Sequence, residues 1–544
     1  PPVAPGSAMR YRLSGLPATL AADEAASVTL TALDQYGQVA VGYAGTAALS
    51  TGDAAAVVPA TAAFTSGVAS VTVRFRTAGR QTLTAADGTI RGTSSTVVQA
   101  GAAAQLRFTA SPATATAGSA LSPVTVTLLD AFGNQASASA TVTLSLGANP
   151  GSDTLLGTTA VAASGGVAAF GGAFLTRAAA GYTLVATATG LASDTSAPFT
   201  VVAASPAKLA LVQGPAEATA GEPLSPAPVV EVRDLYDNLA SSGAPVTVSL
   251  VAGPTGAALS GTTTVAPPDG IARFDDLTVN KAGGGYLLVA TSGFLASAYG
   301  APFPAVAGAP HRAVFVAQPG TARAGVALAP PPEAMLLDRF DNPSLAATTG
   351  LSLSFASNPS LATLLGEKTV TASAGVATFP GVAIDRSGAA FALYVGAAGL
   401  VGDTSVGFDV LAGPAAHYAI LGPLVARRDA EVSYELAAED AFSNPVPDYL
   451  GTAAASSSDP AAGLPAIVGF TGGRAHAVRV TFRTAGPQTL MFTENAGGAV
   501  GSVSVTVEDP SGGGGGCHCG NGGASALALL GVAAALRGRR RRAS

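Results

Sequence analysis

The 544-residue chain has no tryptophan and only two cysteines, both among its last thirty residues, at positions 517 and 519. No disulfide can staple a core anywhere before them, so the frameworks that hold many small secreted domains together are excluded. Charge is scarce as well: 11% of residues are charged, with 27 Lys+Arg against 33 Asp+Glu. Five of those cations crowd the very end, at Arg537, Arg539, Arg540, Arg541 and Arg542. The remainder is therefore more acidic than the net charge of -6 suggests. It offers no basic stripe to grip a phosphate backbone, and nucleic acid is excluded as a partner.

Histidine is nearly absent too, at positions 311, 417, 476 and 518 only. None has a Ser, Cys or Glu arranged around it in a recurring way, so no Ser-His-Asp or His-Glu constellation is visible. No glycine-rich loop joins a strand to a helix, which removes a nucleotide site. The expectation is a non-enzyme without cofactor or metal. The chain opens PPVAPG, without an initiator Met or the charged-then-apolar start of a leader; a removed leader and a position as the C-terminal part of something longer both fit.

What the chain does have is small residues: 67 Gly, 36 Pro, and 48% hydrophobic residues of which few are aromatic. A chain this long exceeds what one core can organise, so several lightly packed domains are expected. Self-comparison finds them. The pattern Asp-x-(Tyr/Phe)-x-(Asn/Gln) starts at Asp34, Asp130, Asp234, Asp338 and Asp440, and ends at Gln38, Asn134, Asn238, Asn342 and Asn444. A repeat of about 100 residues follows. Before each Asp runs an alternating segment such as VTVTLLD, and later come a Gly-led alternating run (GVAAF, GIARF, GVATF) and a Gly-Tyr-x-Leu-like step (GYTL, GYLL). Period-2 runs, frequent turn residues and no convincing helix predict an all-β sandwich in every repeat. The expected repeats are 7–100, 101–204, 205–309, 310–413 and 414–510, joined by a few small residues stiffened by Pro. Linkers that short disfavour tumbling beads and predict an extended rod, on the order of 150 Å for five sandwiches end to end.

The TLTALDQYGQ, TVTLLDAFGN and VVEVRDLYDN segments make the chain resemble bacterial immunoglobulin-like repeats, related in shape to invasin and filamin repeats. So do GTAALSTGDAAAVVPA…FRTAGRQTLT in the first copy and GTAAASSSDPAAGLPA…FRTAGPQTLM in the last. First and last form one subtype and the middle three another. The resemblance implies a surface or secreted protein whose modules act as spacers or binders.

The motif residues Asp34, Asp130, Asn134, Asp234, Asn238, Asp338, Asn342, Asp440 and Asn444 could be read as calcium ligands. One carboxylate per motif is too few, however, and Asp and Asn cap their own turns well, leaving the aromatic between them to fill the core. Asp275 and Asp276 are adjacent, and on a strand would point to opposite faces, so they do not form an acid/base couple. Tyr182 and Tyr286 occupy a sandwich corner where a hydroxyl often ties the backbone, although Phe391 at the third such step has none. A carbohydrate-binding array would need exposed aromatic rows, which no Trp and 11 Tyr do not favour.

The tail differs from everything before it. Cys517 and Cys519 flank His518 in a glycine-rich stretch, too few donors to enclose a tetrahedral zinc and too close for an unstrained mutual disulfide. The apolar run that includes Leu527, Leu529, Leu530, Val532 and Leu536 is shorter than an ordinary membrane span, but the following arginines can snorkel and would mark the cytoplasmic side. A short C-terminal hydrophobic helix is expected here. This order of parts resembles the C-terminal sorting signal called MYXO-CTERM. The resemblance implies cleavage near Cys517 or Cys519 by a sortase-like protease, lipid on the Cys, a transient anchor from Leu527 to Leu536, and a stop at Arg537 to Arg542. The sequence thus predicts a non-enzymatic stalk or adhesion-type protein of the cell envelope, surface-exposed or released, with a surface protein or polysaccharide ligand. Its alternative is the accessory region of a larger surface hydrolase or binding protein whose functional domain lies before residue 1.

Overall fold

The computed structural model describes residues 6–495 and 497–510. The run leading to each motif Asp is a strand, as its alternation predicts. In Ala25–Leu33 alternation holds at first, then burial on both faces takes over toward the Asp; Val124–Leu129 is buried almost throughout. β-branched and leucine side chains suit such a position because they pack on both sides of a pleated strand. Among the described residues every regular element is a strand and there is no helix.

Each repeat is an immunoglobulin-like sandwich of two sheet faces around its own core. In the second repeat one face is Gln105–Ala110, Val124–Leu129 and Val167–Phe170, antiparallel throughout. The other face holds Thr141–Leu146 against Leu184–Thr187, with Ala179–Tyr182 against Phe199–Val202. The third and fourth repeats build the second face as a single six-stranded sheet, and the first as a five-stranded one. In the fifth, the two faces merge into one eight-stranded sheet, joined by a parallel bridge between His417 and Val500.

One pairing recurs in all five. A short early strand lies parallel to the last strand of the same repeat: Thr19–Ala21 on Ile90–Gln99, Thr114–Thr116 on Phe199–Val202, Ala218–Thr219 on Phe303–Val306, Ala322–Arg323 on Phe408–Leu411, and Val425–Arg427 on Val500–Glu508.

The five cores contain few aromatics, but those few are deeply placed: Phe75 in the first, Tyr182 in the second, Phe274 and Tyr286 in the third, Phe379 and Phe391 in the fourth, Tyr434, Phe482 and Phe492 in the fifth. Burying one such side chain contributes roughly 1.5–3 kcal/mol, which matters in cores otherwise filled by Ala, Val and Leu. The chain forms two compact units. Among the described residues, one is the chain up to Ala309 together with Asp338–Ser344, and the other is Pro310–Leu337 with the chain from Leu345 onwards.

Candidate functional site

The motif builds one device at the entrance of every repeat. Its Asp carboxylate, buried in all five copies, organises the turn with one oxygen and the incoming linker with the other. In the second repeat Asp130 Oδ1 accepts from the backbone N–H of Phe132 at 2.8 Å and of Asn134 at 2.9 Å, and Oδ2 accepts from Gly101 N–H at 2.9 Å. The linker donor is Gly6 for Asp34, Ala204 for Asp234, Gly308 for Asp338 and Gly413 for Asp440. Burial pushes up the pKa of Asp130, Asp234, Asp338 and Asp440, but the neighbouring Asn and backbone donors outweigh it and hold the carboxyls below their ordinary range. Asp34 is also held low, mainly by Gly6 N–H.

The Asn four residues on does what the sequence alone did not reveal: it grips the repeat before it. Asn134 Nδ2 donates to Arg76 O at 2.7 Å while its Oδ1 accepts from Ala78 N–H at 2.8 Å. Asn238 does the same to Thr176 O and Ala178 N–H, at 2.7 and 2.8 Å. Asn342 bonds Asn280 O and Ala282 N–H, at 2.9 and 3.0 Å. Asn444 bonds Asp385 O and Ser387 N–H, at 2.8 and 3.0 Å. The second amide hydrogen of each returns to its own Asp Oδ2. A primary amide has one acceptor and two donors, so each is fully engaged and its orientation is fixed.

The aromatic between Asp and Asn does not fill the core of its own repeat, contrary to expectation. Tyr36 is 73% exposed, and Phe132 and Phe442 are more than a third exposed. The turn directs the second residue outward, and the ring then meets the preceding repeat. Tyr236 lies against Gly118, Phe340 against Gly221 and Phe442 against Gly325; a Cβ on any of those glycines would collide with the aromatic side chain facing it. All three glycines have positive φ, so close approach and backbone conformation both select Gly. At the first joint Asp23 occupies that place, and Arg76 lies over the Phe132 ring, 5.1 Å from its centroid, while pairing with Asp23 at 2.8 Å.

The gripped segment is itself held. Asp53 Oδ2 accepts from Arg76 and Thr77 N–H at 2.7 and 3.0 Å, and Asp153 accepts from Thr176 and Arg177 N–H at 2.6 and 2.7 Å. The recurrence of FRTAG or a similar stretch one repeat earlier was the available signal for this joint. Its partner lies more than fifty residues away, so neither half announced the other.

Elsewhere, Tyr182 and Tyr286 hydroxyls donate to Arg177 O at 2.9 Å and Lys281 O at 2.7 Å. Phe391 is equally buried without such a bond. Asp275 and Asp276 are in a turn after Ile271–Arg273, not on a strand. The strand ends earlier because Asp276 is drawn to Thr262, accepting from its N–H and its hydroxyl at 2.8 Å each. His417 meets Glu439 at 3.1 Å and His476 meets Glu435 at 3.4 Å on strand surfaces. Among the described residues no three His, Cys, Asp or Glu side chains gather as a metal site. A shallow cavity in the third repeat, bordered by Gln213, Leu288 and Phe303, is lined by no titratable side chain. Cys517, Cys519, Leu527, Leu529, Leu530, Val532, Leu536, Arg537, Arg539, Arg540, Arg541 and Arg542, and the expected terminal helix, lie outside the described residues.

No family model matches the chain, and no curated protein does. Among solved structures it is similar to FdeC, an Escherichia coli adhesin, with 16% identity over 56% of this chain and 98% of that one, at a TM-score of 0.28. Invasin, a bacterial integrin-binding protein, matches at 15% identity over 74% of this chain and 79% of that one, TM-score 0.27. Domains 1–6 of the surface layer protein SbsC match at 15% identity over 91% of this chain and 66% of that one, TM-score 0.20. At such scores the fold assignment rests on the sheets described above.

Proposed function

We propose that the chain is a non-enzymatic spacer and display protein of the cell envelope, in which residues 7–100, 101–204, 205–309, 310–413 and 414–510 are five modules of a stalk. The observation that carries this reading is the joint. The same Asp, Asn and aromatic grip the linker or the preceding repeat at every entrance where a preceding repeat exists. Fixing one small β-sandwich on the next has no use for an isolated binding domain, but it suits a protein whose task is reach. The stalk would hold a part borne near its N-terminal end away from the cell, or present its own faces and loops to a surface protein or polysaccharide.

The tail supplies the address in this reading. Cys517 or Cys519 is the processing residue for a sortase-like protease, with the apolar run a transient membrane anchor and the arginines its stop. Two measurements test the two halves. Small-angle scattering of the purified chain is expected to give a maximum dimension on the order of 150 Å; a value near that of a compact globule overturns the stalk. Intact masses of surface and secreted fractions from a native-type host are expected to show a product ending near Cys517 or Cys519, and a chain still ending at Ser544 overturns the sorting role.

A further inference from the structure

Four gripped segments are filled by the turn of the following repeat. The fifth repeat carries the same segment, Arg483-Thr-Ala485, with the same internal support: Asp459 Oδ2 accepts from Arg483 N–H at 2.6 Å and Thr484 N–H at 3.0 Å, and Oδ1 from the Thr484 hydroxyl at 2.8 Å. These match the bonds that Asp53 makes to Arg76 and Thr77 in the first repeat. Asp429, at φ 68°, stands where Asp23 stands, at φ 65°. Yet among the described residues nothing bonds Arg483 O or Ala485 N–H, and the Arg483 guanidinium has no ion pair. No Asp-x-aromatic-x-Asn follows in residues 511–544.

At the other end is the matching half. The turn of the first repeat is formed by the same carboxylate bonds, Asp34 Oδ1 accepting from Tyr36 and Gln38 N–H at 2.9 Å each. Its aromatic and its amide have no partner among the described residues: Tyr36 is 73% exposed and Gln38 is exposed. Gln38 keeps the primary amide of Asn on a longer stem, and Tyr36 keeps the ring that Phe132 offers to Arg76.

We propose that these two halves dock between copies of this chain, the Asp34–Gln38 turn of one seating on the segment 483–485 of another. Gln38 amide would bond Arg483 O and Ala485 N–H, and Tyr36 would lie beneath the Arg483 guanidinium. The interface is heterologous, so successive copies extend head to tail instead of closing as a two-fold dimer. Its few contacts predict weak association in solution, with a dissociation constant on the order of 1 mM; copies tethered side by side by their tails would keep the two halves at opposite ends, so the contact joins released chains.

The test uses the full chain with p-benzoylphenylalanine in place of Tyr36, mixed in equal amounts with 15N-labelled chain at about 1 mM and irradiated. Crosslinks joining labelled to unlabelled chain are expected, concentrated on residues 483–488. Gln38→Ala should lower their yield about fivefold or more, with an unchanged melting curve showing that the fold is intact, and Gln38→Asn should raise it. Crosslinks confined to single chains, crosslinks scattered without preference for residues 483–488, no crosslinks, or a yield indifferent to Gln38→Ala would each overturn the proposal.

Discussion

In the first and fifth repeats two tyrosine hydroxyls and a carboxylate meet at one edge of the sandwich: Tyr11, Tyr43 and Asp87 in one, Tyr418, Tyr449 and Glu494 in the other. Phe64 and Phe470 stack on the first tyrosine of each set, 5.0 and 4.8 Å between ring centroids. In the second and third repeats a single tyrosine stacks on a closing phenylalanine, Tyr182 on Phe199 and Tyr286 on Phe303, and its hydroxyl bonds backbone groups alone, Arg177 O for Tyr182 and the Lys281 O and N–H for Tyr286. The fourth drops even that hydroxyl. Both solutions replace a missing tryptophan and disulfide, but they differ in kind. The outer repeats rely on a polar chain whose parts must all be present, and the middle ones on shape. Burial, joined by bonds to Asp87 and Tyr11, drives the Tyr43 pKa far above the ordinary phenol range, and Tyr449 follows for the same causes. Both chains are therefore neutral-phenol networks throughout the physiological range.

Acid should act on outer and middle repeats alike, because the motif carboxylate is common to all. Its pKa is lowered on folding, so its stabilisation is fully present above the unfolded value, about 3.9, and disappears as pH falls through the lower folded value. A melting midpoint falling steeply below about pH 4 is expected, with the supporting carboxyls Asp53, Asp153 and Asp459 adding in the same direction. A midpoint flat to pH 2 would refute the shared role.

The next effect separates the two core types. Tyr286→Ala in the third repeat should cost about 3–5 kcal/mol through the cavity it leaves, whereas Tyr286→Phe should cost only about 1 kcal/mol, since Phe391 does the same work unaided. Denaturant unfolding followed by hydrogen exchange in that repeat measures both. Asn238→Ala should come next, at about 2 kcal/mol for the lost joint bonds, with protection lost at Ala178 N–H; the counterpart Gln38→Ala in the dilute chain should change stability by less than about 0.5 kcal/mol. Equal effects at the two positions would mean that the joint is not what selects Asn. In the outer repeats, Tyr43→Phe should cost about 1–2 kcal/mol because it leaves Asp87 without its donor. If it cost no more than Tyr286→Phe, the distinction between the two core types would fail.

The strands were largely legible because their patterns are long enough to alternate: the runs ending at Asp130 and Asp234, the GVAAF run, and the closing FTVV all became strands where the period placed them. Two-residue strands such as Ala218–Thr219 are too short for a period to show. The Asp turn was legible from local chemistry, since its bonds span at most four residues. The Asn grip was not, because Asn134 and Arg76 are 58 residues apart and a side chain that caps a turn looks the same in sequence as one that leaves it. The outward aromatic was misread for a related reason: hydrophobicity alone does not say which repeat an apolar ring will cover.

The parallel pairing of an early strand with the last strand of each repeat has a mechanical consequence. When a tandem chain is pulled, the force on each repeat enters near its first strand and leaves through its last, in opposite directions. In a parallel pair those directions slide the strands along each other, so their hydrogen bonds share the load and yield together under shear. An antiparallel pair joined at one end would instead be unzipped bond by bond. Each of the five sandwiches thus meets traction with its edge bonds acting in concert, a property that would serve the proposed stalk whether or not it also binds.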